Sequence, residues 1–284
     1  MNYQIRPLPA GLYFVATPIG SARDITLRAL DVLASADVIA AEDTRTLRKL
    51  LDIHGVPLGE RPVIAYHDHN GDAARPRLMR ALAEGKSVAY ASEAGTPLVA
   101  DPGYSLSREA LEAGHLVTSA PGPSAAITAL TIAGLPTDHF YFAGFQPNSS
   151  GARRAALEAC ADVQATLVFY ESPKRLAASL ADMAQVLGGG RQAAVCRELT
   201  KKFEEVRRAS LAELADHYAA SGAKGEVVVL VDRAGEAAME EADVETALRR
   251  ALETLSVKDA AAMVAEAYGL KRRDVYQQAL SLSR

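Results

Sequence analysis

The residues best suited to chemistry in this sequence cluster at the ends of strand-like runs. Residues 92–103 read Ser-Glu-Ala-Gly-Thr-Pro-Leu-Val-Ala-Asp-Pro-Gly, between an apolar run at 87–91 and a helix-like stretch from Ser105. Small residues let backbone approach a ligand closely, and the two prolines fix the loop's shape. Open α/β sheets bind small molecules at such carboxyl-end loops. Three more polar or Gly/Pro-rich loops follow strand-like runs, at 16–20, 41–45 and 67–70. In a parallel sheet these ends share one edge, so all four loops are expected to line one cleft. Pro121-Gly122-Pro123-Ser124-Ala125 should end a strand and open a helix, with Ser124 as N-cap and backbone amides turned to a ligand.

Charged clusters adjoin these loops. Glu42-Asp43-Thr44-Arg45 reads either as a helix N-cap with first-turn acids or as substrate contacts, with Arg45 on a phosphate. Residues 170–175 and 197–204 form two more clusters, each after a buried-looking strand. Lys174, Arg175, Arg197, Lys201, Lys202, Arg207 and Arg208, extended by Arg153 and Arg154, suggest a phosphate-binding patch. His67 and His69 lie one residue apart, as metal ligands on a strand would, but no clear third ligand accompanies them, and no metal is expected. Gly85-Lys86-Ser87 lacks the earlier glycine of a phosphate-binding P-loop and precedes a strand rather than a helix. No Gly-x-Gly-x-x-Gly follows the first strand, which removes the main support for a nicotinamide or flavin site.

The elements that position these loops follow from periodicity. Strand-like runs at 12–17, 38–41, 63–66, 87–91 and 116–119 alternate with amphipathic stretches, which predicts a largely parallel sheet over residues 1–120. A small-residue helix at 125–133 opens a second α/β domain over 121–233, with strands at 140–145, 166–170, 193–197 and 227–231. A charged Ala/Glu-rich linker is expected at 233–243. A helical module follows at 240–284, with Ser256 as N-cap, Gly269 as C-cap and a basic corner at Lys271-Arg272-Arg273; it reads as a helix-turn-helix or a plain helical hairpin. The 284 residues carry a net charge of −4 and are 49% hydrophobic, with two cysteines and no tryptophan. That balance suits packed α/β layers and a reducing compartment, and it excludes a polycation. With no signal-peptide core and no apolar run near the ~20 residues of a membrane span, a cytoplasmic protein with no membrane association is expected.

Taken in order, several segments resemble one family. They are Leu-Tyr-Phe-Val-Ala-Thr-Pro-Ile-Gly (12–20), Ala-Glu-Asp-Thr-Arg (41–45), Ala-Gly-Thr-Pro-Leu (94–98), Asp-Pro-Gly-Tyr (101–104), Pro-Gly-Pro-Ser-Ala (121–125), Phe-Tyr-Glu-Ser-Pro (169–173) and Arg-Glu-Leu-Thr-Lys (197–201). The series resembles the ribosomal RNA small subunit methyltransferase I family, a branch of the tetrapyrrole methylase superfamily. Ser21 and Glu93 stand where that family usually has Asn and Asp. The resemblance implies two α/β domains with a cleft between them plus a C-terminal helical module. It also implies S-adenosyl-L-methionine as cofactor, a homodimer, and 2′-O-methylation of a cytidine in the decoding centre of small-subunit ribosomal RNA, on the 30S subunit. By the same resemblance Thr96, Val99, Ser124 and Ala125 are expected to contact the cofactor, with Pro18, Tyr170 and Gly225 as weaker candidates. Transfer to a ribose hydroxyl is an in-line displacement that gains from alignment and from a base. Glu171, Glu198 and Asp43 are the candidate bases. Arg45, Arg175, Arg197 and Lys201 are the candidates for RNA phosphates. The alternative is a superfamily methylase acting on a tetrapyrrole or another small molecule.

Overall fold

The computed structural model describes residues 2–67, 70–100, 103–234, 236–253, 255–268 and 270–282, the side chains of 236–243 excepted. Five strands build the first sheet: β1 (Gly11–Val15), β2 (Val38–Ala41), β3 (Val63–Ala65), β4 (Ser87–Ala91) and β5 (Val117–Ala120). They run wholly parallel in the order β3-β2-β4-β1-β5. Helices on both faces explain why β1, β2 and β4 are buried along their whole length. Tyr13, Val15, Ile39, Ala41 and Ala89 pack with α1 (Leu27–Ser35) and α2 (Thr44–His54). Their strand neighbours Leu12, Phe14, Val38, Ala40 and Tyr90 point the other way, onto α3 (Gly71–Ala83) and α4 (Tyr104–Glu112). The chain therefore leaves β1 towards one face and β4 towards the other. Because β1 and β4 are adjacent, a crevice opens between their carboxyl ends, the switch point at which open α/β sheets bind ligands.

The second sheet contains β6 (Phe140–Phe145), β7 (Thr166–Glu171), β8 (Gln192–Arg197), β9 (Glu205–Ser210) and β10 (Val227–Val231), in the order β6-β7-β10-β8-β9. Only β6 and β7 pair in parallel. One face carries α5 (Ala125–Ala133), whose Ala126, Ala129 and Leu130 meet Val168, Cys196, Val228 and Leu230. Ile19, from the loop after β1, joins the same cluster and ties the first sheet's loops to the second sheet's core. The other face is covered by α7 (Leu176–Leu187) and α8 (Leu211–Ser221), with Leu157 of α6 (Ser150–Glu158).

Two of these elements lie outside the expected pattern. β9 reads Glu-Val-Arg-Arg-Ala-Ser, a charged strand at a sheet edge, where polar side chains meet solvent and no apolar alternation is required. In α6, Arg153 is buried against Asp182 rather than free for phosphate: the guanidinium lies 2.6 Å from the carboxylate, and both side chains are 4% exposed. Arg154 holds the same carboxylate at 2.7 Å, and Ser150 donates to it at 2.9 Å.

The segment at 233–243 is not a linker for most of its length, since α9 (Glu236–Leu252) begins within it; Ala and Glu are strong helix formers. Ser256 caps α10 (Val257–Ala267) by accepting from the Asp259 amide, and α11 (Arg272–Leu282) follows. Val244, Leu248, Ala261, Val264, Val275 and Ala279 close a three-helix core, and Gly269 lies outside the described residues. Among the described residues no helix is long and apolar enough to cross a membrane.

Burial pushes the Asp182 carboxyl up, but hydrogen bonds from Arg154, Ser150 and Arg153 outweigh it and hold the group below its ordinary value. Its contribution is present above about pH 4 and is lost as pH falls through the lowered folded value. Asp182→Ala leaves Arg153 buried and uncompensated, so urea denaturation at neutral pH should show a loss of about 3–5 kcal/mol.

Candidate active site

At the switch point, loops that leave in opposite directions are tied together. The Thr17 amide donates to the Gly95 carbonyl at 2.9 Å, and the Gly95 amide returns the bond at 3.0 Å. The Thr17 hydroxyl reaches the Ser92 carbonyl at 3.2 Å, and the Ser92 hydroxyl donates to the Gly95 carbonyl at 2.5 Å. Thr96 donates to the Pro123 carbonyl at 2.8 Å, adding the loop after β5. Leu98 and Ala100 take left-handed backbone conformations at φ 71° and 58°, strain that persists only where the surroundings dictate the conformation.

These loops and the second sheet enclose a cavity of about 650 Å³. Pro18, Thr96, Val99, Ser124, Ala125, Tyr170 and Gly225 all line it. Ser124 and Ala125 present the start of α5, where the Ala126 amide donates to the Tyr170 hydroxyl at 3.2 Å. Phe142 and Phe145 pack edge-on against the Tyr170 ring and fix it. Of the loop expected at 67–70, only His67 and Asn70 are described, and neither is among the lining residues. β3 is the outermost strand, and Asn70 accepts from the His67 amide and donates to the Ala65 carbonyl. Asp68 and His69, half of the histidine pair considered for a metal, lie outside the described residues.

The second wall depends on Glu198. Glu198 and Thr200 both take left-handed conformations, at φ 53° and 62°. The Glu198 carboxylate accepts from the Glu226 amide at 3.0 Å and from Lys201 Nζ at 3.1 Å. Lys201 also reaches Glu226 at 2.8 Å. Gly225 packs directly on this carboxylate: a Cβ there would lie 2.2 Å from Glu198 Oε1, at a φ of +82°. The two walls meet where Ser21 donates to the Thr200 hydroxyl at 3.0 Å. Gly20 permits the approach, since a Cβ there would lie 2.6 Å from both Thr200 Oγ1 and Lys201 Cγ.

The candidate bases separate by environment. Asp43 lies outside the lining; it caps α2, and the Arg45 side chain and amide hold its carboxyl down to about 2. Glu198 also lies outside the lining, and its carboxyl is lowered by the Glu226 amide against some desolvation, with help from Lys201. Glu171 reaches the lining but is buried, accepting from the Ser172 amide at 2.7 Å, from Arg175 at 2.6 Å and from the Ser179 hydroxyl. Glu93, passed over in the sequence, lines the cavity with Glu42 and Glu226. Desolvation, then the Glu42, Asp43 and Glu226 charges, push its carboxyl up despite Arg45. Its amide donates to Glu42 at 3.2 Å, so the acids are gathered by backbone geometry that spacing alone does not reveal.

The expected basic patch is largely committed within the fold. Arg175 pairs with Glu171, Arg197 with Glu205 at 2.6 Å, and Arg208 donates to the last carbonyls of α5. Lys201 lines the cavity, whereas Arg45 stands outside it, 89% exposed and bridged to Asp43.

A family profile described as Tetrapyrrole (Corrin/Porphyrin) Methylases matches residues 11–215. Proteins named Ribosomal RNA small subunit methyltransferase I are 51% identical in Mesorhizobium japonicum, over 98% of this chain and 94% of that one, and 45% identical in Escherichia coli O157:H7, over 95% and 94%. The chain belongs to the ribosomal RNA small subunit methyltransferase I family. As in that family, the last helices form a distinct module, and residues 238–283 match a profile described as RsmI C-terminal HTH domain. The family's fold also reaches further. Uroporphyrin-III C-methyltransferase from Thermus thermophilus aligns with TM-score 0.57 at 21% identity, covering 79% of this chain and 95% of that one. The same enzyme in complex with S-adenosyl homocysteine aligns at 0.55 and 20%, covering 78% and 97%.

Gly225→Ala should displace the Glu198 carboxylate and loosen the second wall. Chemical denaturation should report about 1–3 kcal/mol of destabilisation.

Proposed function

We propose that this protein transfers a methyl group from S-adenosylmethionine to the 2′-hydroxyl of a cytidine in the decoding centre of small-subunit ribosomal RNA. In this reading it acts as a cytoplasmic homodimer on the 30S subunit, and the domains at 1–120 and 121–233 form the catalytic cleft while the helices at 240–284 dock RNA. The observation that carries the reading is the cavity itself. It lies at the switch point in a chain that belongs to a family named for ribosomal RNA methylation, and its walls are small residues, a helix start and a group of carboxylates. Its volume falls in the ~300–1,000 Å³ range of small-molecule sites. Ala94, Gly95 and Ala125 leave room for close contact, and Glu42, Glu93 and Glu226 make a field that favours a cationic ligand.

The cofactor supplies a methyl group already activated on a sulfonium. Thr96, Val99, Ser124 and Ala125 hold it, with Pro18, Tyr170 and Gly225 completing the wall. The protein's work is to align a ribose oxygen in line with the transferred carbon and to take its proton. Glu93 is the carboxylate best fitted to take it, because its raised affinity for a proton makes it the stronger base. Asp43 and Glu198 are weakened as bases by their donors, and Glu171 is occupied by three. In this scheme those three position the walls. Arg45 and Lys201 meet phosphates directly, while Arg175 and Arg197 act by holding Glu171 and Glu205.

Purified protein given radiolabelled S-adenosylmethionine should label unmodified 30S subunits and leave porphyrinoids unlabelled. Label on porphyrinoids alone would establish the small-molecule methylase instead. Glu93→Gln should lower kcat about 10²–10⁴-fold. In the wild type, activity should fall as pH drops through the raised Glu93 value; in Glu93→Gln that acid limb should be missing from the pH–rate profile.

A further inference from the structure

The turn between β8 and β9 carries an aromatic residue that the fold does not use. Phe203 is 65% exposed, beside the exposed Lys202. Scattered surface aromatics are ordinary, but the setting of this one is not. The Glu204 amide donates to the Lys201 carbonyl at 3.1 Å and the Thr200 amide to the Glu204 carboxylate at 2.6 Å, pinning both flanks of the turn. The left-handed backbone at Glu198 and Thr200 fixes the approach to it. Leu199 and Lys201, two to four residues away, line the cavity. The Lys202 ammonium lies 5.4 Å from the Phe203 ring centroid, over one face of the ring.

We propose that Phe203 and Lys202 form a stacking platform for an unpaired nucleobase of the RNA substrate beside the methyl-transfer cavity. Single-stranded RNA is bound by aromatic planes interleaved with cations, because every base offers a π-face and every linkage a negative charge. Here a largely exposed ring stands on a pinned turn two residues from the lining residue Lys201, with one face under a cation. The base stacks on the face away from Lys202, and the ammonium adds positive charge beside the strand's linkages. A platform on the same turn as the lining residues Leu199 and Lys201 holds the strand in register, so that the neighbouring ribose enters while its base stays outside. This inference rests on the RNA-methylation reading above.

The test uses the full chain as wild type, Phe203→Ala and Phe203→Trp. Unmodified 30S subunits serve as the kinetic substrate, and protein-free small-subunit ribosomal RNA as the binding probe. The chain contains no tryptophan, so emission from Phe203→Trp reports this position alone. Phe203→Ala should raise KM for the subunits roughly tenfold, the scale of one lost base–aromatic stack, and leave S-adenosylhomocysteine affinity by calorimetry unchanged. Phe203→Trp should restore KM, and RNA should quench its emission. An unchanged KM in Phe203→Ala, or tryptophan emission indifferent to saturating RNA, overturns the platform. So does a loss of S-adenosylhomocysteine affinity, which would mark Phe203 as structural, or a fall in oligomer mass, which would place it between two copies of the chain. If RNA quenches Phe203→Trp while the wild type methylates no RNA, the platform stands and the RNA-methylation reading fails.

Discussion

The pairing of Thr17 with Gly95 is the constraint on which the rest of the site depends. β1 and β4 are hydrogen-bonded neighbours whose outgoing chains must part, one to each face of the sheet. Left alone, the two loops would frame an open notch. The reciprocal amide bonds, reinforced by the Thr17 and Ser92 hydroxyls, bring them together again beyond the sheet edge. Only then does the chain after Gly95 bend through the left-handed Leu98 and Ala100 into a wall. Once joined, the loops also project Ile19 far enough to enter the second sheet's core. One short-range pairing thus shapes the cavity and sets the approach of the two sheets.

The second wall repeats this logic with charge. Glu198, outside the cavity lining, is the group the neighbouring chain packs against. Its carboxylate accepts from the Glu226 amide and Lys201, and Gly225 passes so close that a side chain there would displace it. Lys201 experiences desolvation that disfavours its charge, but the Glu226 and Glu198 carboxylates outweigh it and its proton is held more tightly than usual. The lysine therefore stays cationic at the cavity edge, a fixed positive charge beside the acids that gather around Glu93.

What the sequence revealed and what it hid follow from the range of the interactions involved. The buried parallel strands were legible because both faces are covered and the residues are continuously apolar. The ends of β2 and β4, and the whole of α5, fall where the pattern places them. β9 was not legible, because an edge strand facing solvent has no need of alternation. The residues that line the cavity were legible as loop positions. Their charge environments were not, since those depend on contacts such as Glu93 to Glu42, 51 residues apart. Arg153 shows the same limit: as a letter it is a surface cation, and only the distant Asp182 makes it part of the core.

The treatment of positive charge bears on how a protein of net charge −4 engages a polyanion. Most arginines near the cavity are paired inside the fold, and the cavity collects carboxylates. Long-range attraction from this region is therefore weak, and approach to RNA cannot rest on a field converging on the catalytic centre. An acidic interior has the opposite merit. In the proposed reading it favours a cationic cofactor and disfavours entry of a phosphate backbone into the space proposed for the ribose oxygen. Affinity for RNA then has to come from the rim and from other surfaces. In the proposed scheme those are Arg45 and Lys201 at the cavity edge, the stacking plane at Phe203, and the helical module with its Lys271-Arg272-Arg273 corner. In that scheme, separating attraction at the periphery from alignment at the centre lets a single cavity serve two ligands of opposite charge.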